Sequence, residues 1–236
     1  MMGSDSQVDD LIEGPSFEVE AAEMALGRGP VAGVDEAGRG PWAGPVVAAA
    51  VILDPQAIPL GLDDSKAMDA ASRERAFAAI MATARVGVGV GCVKRIDRDN
   101  ILQATMFAMV EAVSGLGSAP GLVLVDGNRL PKTLPCAGRA IIRGDARCLS
   151  IAAASIIAKV TRDRMMVALA SAFPGYGFER HKGYGVPEHR IALAKLGVTP
   201  HHRRSFKPVQ LALNLAPAEV QDDALREDDG LLVDLA

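Results

Sequence analysis

The chain has 236 residues, 49% of them apolar, with 25 Lys and Arg against 29 Asp and Glu and a formal net charge of -4. That composition excludes a mostly disordered chain, and the longest apolar run, around Pro45 to Leu53, is strand-sized and too short to span a bilayer. The three cysteines, Cys92, Cys136 and Cys148, are odd in number and lack C-x-x-C spacing, which argues against a disulfide framework and a cysteine-based zinc site.

Residues 1–15 are polar and acidic and are expected to be disordered. Ser16 to Leu26 reads as a short helix, stopped by Gly27-Arg28-Gly29-Pro30. Val31 to Asp35 and Pro45 to Leu53 are apolar strands, and a turn-rich stretch follows to Met68. Ser72 caps a helix running to about Ala84, with Phe77, Ile80 and Met81 on its apolar face. Val86 to Val93 alternates Val with Gly as a third strand, and Ile96 to Leu116 has helical spacing. Leu122 to Val125 is a buried-type strand ending at Asp126, and Arg139 to Arg143 is another. A long helix spans Ser150 to Phe173, then a Gly-containing loop Pro174 to Gly185, then a helix Pro187 to Leu196. Strand–helix alternation of this kind gives an α/β protein with a mixed sheet, and the second and third strands suit an antiparallel pair. The N-terminus carries no basic start followed by an apolar stretch, so a soluble, cytoplasmic, monomeric protein is expected.

The charge is unevenly spread. Residues 1–20 hold six acids and no base; residues 209–236 hold seven acids and one base. The remaining 24 bases and 16 acids give residues 21–208 a net charge of +8. A basic body between acidic ends points to a polyanionic partner. Arg180 to Lys207, with seven bases and one acid, reads as part of that face.

Two strands end in acids, at Asp35-Glu36 and at Asp126, and Asp145 follows a third. Strand ends are where ligands bind in α/β sheets. Converging carboxylates repel unless a cation or proton intervenes, and oxygen-only ligands select Mg²⁺ or Mn²⁺ over zinc. Asp126, followed by Gly127-Asn128, also suits a plain turn, and Asp145 a helix-approach cap. Adjacent strand residues face opposite ways. Asp35 and Glu36 can share one site only if the chain leaves strand geometry there, and Gly38-Arg39-Gly40-Pro41 is the expected place. Gly38, Gly40 and Gly44 do not have dinucleotide-fingerprint spacing, and a strand follows them instead of a helix.

Taken together, these segments resemble the ribonuclease HII family. The resemblance is carried by Gly33-Val-Asp35-Glu36-Ala-Gly38-Arg39-Gly40-Pro41, Asp64-Ser65-Lys66 and Val125-Asp126-Gly127-Asn128. It continues through Gly144-Asp145, Ser150 to Asp163, His181-Lys182-Gly183-Tyr184-Gly185 and His202-Arg203-Arg204-Ser205-Phe206. It implies a single catalytic domain over residues 16–208, with a ribonuclease H-like five-stranded mixed sheet flanked by helices and a helical C-terminal part, followed by an acidic tail at 209–236.

The resemblance also implies a site of four acids, Asp35, Glu36, Asp126 and Asp145, that holds Mn²⁺ or Mg²⁺ and cuts the RNA strand of RNA–DNA hybrids. Ribonucleotides embedded in duplex DNA are cut as well, as part of replication and repair. Two cations about 3.5–4 Å apart on shared carboxylates suit that hydrolysis, leaving 5′-phosphate and 3′-hydroxyl ends. Gly38, Arg39 and Gly40 are implied to contact the nucleotide around its 2′-hydroxyl, with Tyr184 at the sugar. Ser65 and Lys66 are the expected phosphate-side contacts. Lys66 also suits a solvated loop, Tyr184 partial burial, and Arg162 either solvent or substrate.

Beyond that body, Gln210-Leu211-Ala212-Leu213-Asn214-Leu215 alternates as an extended segment does and is similar to short peptides that dock on DNA sliding clamps. A last helical turn or strand packed on the body is the favoured reading of this segment. Two other functions compete: a silent RNA–DNA binding module, and a metal-independent ribonuclease using the clustered histidines His181, His189, His201 and His202.

Overall fold

A computed structural model describes residues 14–215. The expectations for residues 1–13 and for the acidic tail from 216 onward lie outside them. In chain order, helix α1 (Glu18–Ala25) leads into strands β1 (Val31–Ala37) and β2 (Val46–Ile52). Helix α2 (Ala70–Thr83), strand β3 (Arg85–Gly91) and helices α3 (Val93–Asp99) and α4 (Ile101–Ser114) follow. Strands β4 (Leu122–Asp126) and β5 (Ala137–Ile141) complete the sheet. A 3-10 turn (Gly144–Ala146) then precedes the long helix α5 (Leu149–Ala172), and α6 (Phe178–His181), α7 (Pro187–Leu196) and α8 (Lys207–Leu215) end the described chain.

The sheet order is β3-β2-β1-β4-β5. β1 pairs antiparallel with β2, and β2 with β3; β1–β4 and β4–β5 are parallel. This is the five-stranded mixed sheet that the resemblance implies. Side-chain alternation divides it between two helical layers. Val34, Ala48, Ala50 and Val125 pack on α4, while Ala49 and Val51 face α5 and α2. The Val-Gly alternation of β3 has a packing reason. A Cβ at Gly87 or Gly89 would lie 2.0 Å from the carbonyl oxygen of Ala112 or Ala108, so α4 can sit against the sheet only over glycine.

Several boundaries differ from the sequence expectation. Asp69 caps α2, accepting the Ser72 amide at 2.7 Å. The predicted helix over 96–116 is two helices, broken at Asn100 (φ 70°), whose Oδ1 accepts the amides of Leu102 and Gln103 and caps α4. The loop over 174–185 contains α6. The segment from Gln210 is the end of helix α8, a correction of the extended reading: Lys207-Pro208 start a helix, with Val209 buried and Leu211 exposed. Among the described residues no helix is long and apolar enough to cross a membrane.

Candidate active site

The parallel register of β1 and β4 sets Val34 opposite Val125, so Asp35 and Asp126 follow side by side on adjoining strands. Both lie on the face that α5 covers. Leu124 packs there with Ile151, and a Cβ at Gly33 would meet the Ser150 backbone at 2.1 Å. Asp145 sits in the 3-10 turn that leads into α5. The Gly144 amide donates to Asp126 Oδ1 at 2.7 Å and ties that turn to the end of β4. The start of α5 is fixed by buried Glu20, which accepts the Ser150 amide at 2.8 Å and its hydroxyl at 2.6 Å.

Three elements therefore deliver Asp35, Asp126 and Asp145, and one carboxylate oxygen of each lies within 4.8 Å of the others. Burial, together with the neighbouring charges of Glu36 and Asp126, raises the Asp35 carboxyl well above its ordinary range. Asp126 is raised too, by burial and then by Asp145. Such a cluster is under electrostatic stress, and an oxygen-only donor set relieved by positive charge fits a hard divalent cation.

Glu36 departs from expectation. β1 continues regularly through Glu36, paired with Ala48, and Ala37, paired with Val47. The chain does not break strand geometry before Gly38, so alternation turns Glu36 from the face that carries Asp35. It lies outside the three-acid cluster, and its carboxylate meets Arg39 at 3.3 Å. Burial raises its pKa against the opposing pull of Arg39, and the charge of Asp126 adds to the rise.

Lys66 reaches the cluster from the β2–α2 loop, with Nζ 3.2 Å from Asp145 Oδ2. Ser65 is buried instead of facing outward, and its hydroxyl meets that of Ser155 at 2.6 Å. Gly38 has φ 97°, which favours glycine, and Gly40 is exposed beside the ring of Tyr184, itself 45% exposed. Gln210 and Leu211 are exposed and Leu213 half-buried on α8.

Two residues went unrecognised in the sequence. Arg162 is buried and does not face solvent, and Arg203, counted among the basic surface, is buried as well. Both bind backbone carbonyls around Gly38 to Pro45. Nothing in the sequence sets them apart from the surface bases around them, such as Lys159 and Arg164 on the same helix as Arg162. His189 and His202 are also fully buried, their Nε2 atoms 3.0 Å apart within a ring cluster with Phe178 and Tyr176. Burial depresses both and takes His202 down to about 3, so this pair is built for packing, not acid–base exchange with a substrate.

A family model described as Ribonuclease HII matches residues 32–209. A relative named ribonuclease HII, from Azorhizobium caulinodans, is 60% identical over 199 residues, covering 84% of this chain and 76% of the relative. The crystal structure of ribonuclease H2 from Pyrococcus horikoshii OT3 superposes with a TM-score of 0.67 at 30% identity, covering 78% of this chain and 97% of that one. The ribonuclease HII in the PCNA:RNase HII complex from Archaeoglobus fulgidus does so with a TM-score of 0.65 at 28% identity, covering 75% and 95%. Acids gathered at the strand ends of a mixed five-stranded sheet, and a match that runs through every element bearing them, have one common explanation: the chain belongs to the ribonuclease HII family, an enzyme family of the ribonuclease H class.

Proposed function

We propose that this protein hydrolyses the RNA strand of RNA–DNA hybrids and cuts at ribonucleotides embedded in duplex DNA, leaving 5′-phosphate and 3′-hydroxyl ends. It would thereby serve ribonucleotide removal in cytoplasmic replication and repair. The observation that carries this reading is the cluster of Asp35, Asp126 and Asp145 at the strand ends. These three, with Glu36 beside them, would hold Mg²⁺ or Mn²⁺. Two such cations, when bound, supply a nucleophilic water at neutral pH and stabilise the charge that develops on the leaving 3′-oxygen.

The chain's own residues supply position. The Gly144 amide orients Asp126, and the charge of Lys66 moderates the acid cluster and meets a substrate phosphate. Ser65 holds that loop from within through Ser155. Arg39 keeps Glu36 at the margin of the site. The backbone of Gly38, Arg39 and Gly40 approaches the nucleotide closely, and the exposed Tyr184 ring lies against the sugar bearing the 2′-hydroxyl.

A sliding clamp is the proposed partner of α8 through Gln210, Leu211 and Leu213. Exposure of Leu211 supports this, as does the partner in the Archaeoglobus fulgidus complex. Equal capture by a bacterial clamp of wild type and of the Leu211→Ala, Leu213→Ala variant would remove that partner.

Cleavage of duplex DNA carrying one ribonucleotide, with and without EDTA, tests the enzymatic reading. Cation-dependent cutting supports it. Binding without cutting favours the silent module, and EDTA-resistant cutting favours a metal-independent nuclease.

A further inference from the structure

Arg162 and Arg203 are charges buried to 1% and 0% exposure. Burying a cation away from water costs several kcal/mol unless hydrogen bonds or opposite charge offset it. Their hydrogen bonds all run to backbone carbonyls, and the choice of carbonyls is not scattered. Arg203 donates to Gly38, Arg39 (2.9 Å), Gly44 (2.9 Å) and Pro45 (3.2 Å). Arg162 donates to Pro45 (3.0 Å), Ala43 (3.2 Å) and Lys182 (3.1 Å). Five of these six oxygens belong to the one loop between β1 and β2, and the sixth lies two residues before Tyr184.

The planarity of the peptide unit converts this into a statement about donors. In a trans peptide the carbonyl of one residue and the amide of the next point in opposite directions. Drawing the Gly38 and Arg39 carbonyls onto Arg203 turns the Arg39 and Gly40 amides away from it, toward the exposed side of the loop. Among the described residues neither amide has a hydrogen-bond acceptor. A Cβ on Gly40 would lie 3.6 Å from the Tyr184 ring, so the outward amides sit beside that tyrosine. Arg162 holds both partners of this arrangement, since it grips the loop at Ala43 and Pro45 and the tyrosine's segment at Lys182. The Trp42 amide donates to Gly183 at 2.8 Å and closes the same junction.

We propose that Arg162 and Arg203 are positioning residues for ribonucleotide recognition: by holding six carbonyls inward, they present the Arg39 and Gly40 amides and the Tyr184 ring to the sugar–phosphate at a fixed spacing. The proposal rests on the reading of Gly38-Arg39-Gly40 and Tyr184 as the ribonucleotide contact. Arginine suits both positions. A lysine keeps the charge but is a single point donor, without the planar fork that reaches several carbonyls at once.

The test measures dissociation constants in EDTA for two duplexes, one all-DNA and one with a single ribonucleotide. Wild type, Arg162→Lys, Arg203→Lys and Tyr184→Ala are compared, with thermal unfolding as the check on folding. Wild type should prefer the ribonucleotide duplex. Each lysine variant should lose about tenfold of that preference, the worth of one or two hydrogen bonds, while keeping its all-DNA affinity. A purely structural role would lower both affinities together and leave the ratio unmoved, which overturns the proposal. Preference lost in Tyr184→Ala but intact in both lysine variants overturns the positioning role alone. Absence of preference in wild type and no effect of Tyr184→Ala overturns the recognition reading itself. Amide exchange on wild type needs no substitution: Arg39 and Gly40 should exchange freely in the unbound protein and gain protection with the ribonucleotide duplex but not the all-DNA duplex. Protection already present without nucleic acid would overturn the proposal.

Discussion

Lys66 Nζ lies 3.2 Å from Asp145 Oδ2 and 3.6 Å from Asp64 Oδ1, so a cation of the chain itself borders the acid cluster. Burial pulls the Lys66 pKa down, but the hydrogen bond and charge of Asp145 outweigh it and leave the group raised. On the proposed cation site, Lys66 would compete with divalent cations for Asp145 before substrate arrives. Lys66→Ala is expected to tighten Mn²⁺ binding to the free protein about two- to fivefold, the range of a partly exposed ion pair. The same variant should raise KM for duplex substrate, because the proposed phosphate contact of Lys66 would be gone. A Mn²⁺ titration by calorimetry reads the first effect; weaker binding in the variant would show that Lys66 is no competitor.

The acids should destabilise the cation-free protein. Asp35 is raised well above the usual carboxylate range, by burial and then by Glu36 and Asp126. A carboxyl raised in the folded state opposes folding increasingly as pH climbs from the ordinary carboxylate range to the raised pKa, and fully above it. At pH 8 in EDTA, Asp35→Asn should gain stability of about 1–3 kcal/mol by urea unfolding, and wild type should recover a similar amount when Mn²⁺ is added. Cleavage by the variant should fall more than about a hundredfold, beyond the usual loss for residues that only support a metal ligand. A variant less stable than wild type in EDTA would contradict the repulsion argument.

Why some of this was legible in the sequence follows from which interactions are local. Asp35 and Asp126 stand at the ends of apolar runs, and strand ends point to sites without further information. Asp145 belongs to no periodic element. It joins the cluster through the Gly144 amide on Asp126, 18 residues earlier in the chain, and through Glu20 at the start of α5, 130 residues from its partner Ser150. Its place after the Arg139 to Arg143 strand makes it a candidate in the sequence, and the family resemblance joins it to the other acids. The break at Asn100 was hidden because apolar residues flank it closely, Ile96 before and Ile101 and Leu102 after, although Asn before a helix is a cap signal. Arg162 and Arg203 read as surface bases because their partners are carbonyls, and carbonyls have no sequence signature.

The histidine cluster sets an acid limit on stability. His202 is held down to about 3 by burial, then by the charges of His189 and His201. An unfolded histidine titrates near 6.5, so between roughly pH 6.5 and 3 the unfolded chain binds a proton that the folded one refuses. Stability should fall as pH drops through that window, by up to about 1.4 kcal/mol per pH unit. Asp35 acts with the opposite sign, so the measurement belongs in Asp35→Asn. Adding His202→Gln there should flatten the slope between pH 6.5 and 5, and an unchanged slope would dismiss the cluster as its source.

Gly38 and Gly40 should separate fold from recognition. Gly38 has φ 97°, and a Cβ there would come within 2.0 Å of Arg162 Nε, so Gly38→Ala should cost about 2–4 kcal/mol in stability. Gly40→Ala meets only an ordinary contact with Tyr184 at 3.6 Å. It should unfold like wild type yet show a raised KM for ribonucleotide-containing duplex. Equal melting temperatures for the two variants would contradict the geometry of the loop.

The central claim is that clustered carboxylates hold cations for hydrolysis at a ribonucleotide. Its most direct test is cleavage of two otherwise identical duplexes, one with a single ribonucleotide and one without, by wild type and Asp126→Asn in Mn²⁺, with the product ends identified. The account predicts cutting of the ribonucleotide duplex by wild type alone, with 5′-phosphate and 3′-hydroxyl ends. Full cleavage by Asp126→Asn, or 2′,3′-cyclic phosphate ends from wild type, would contradict it.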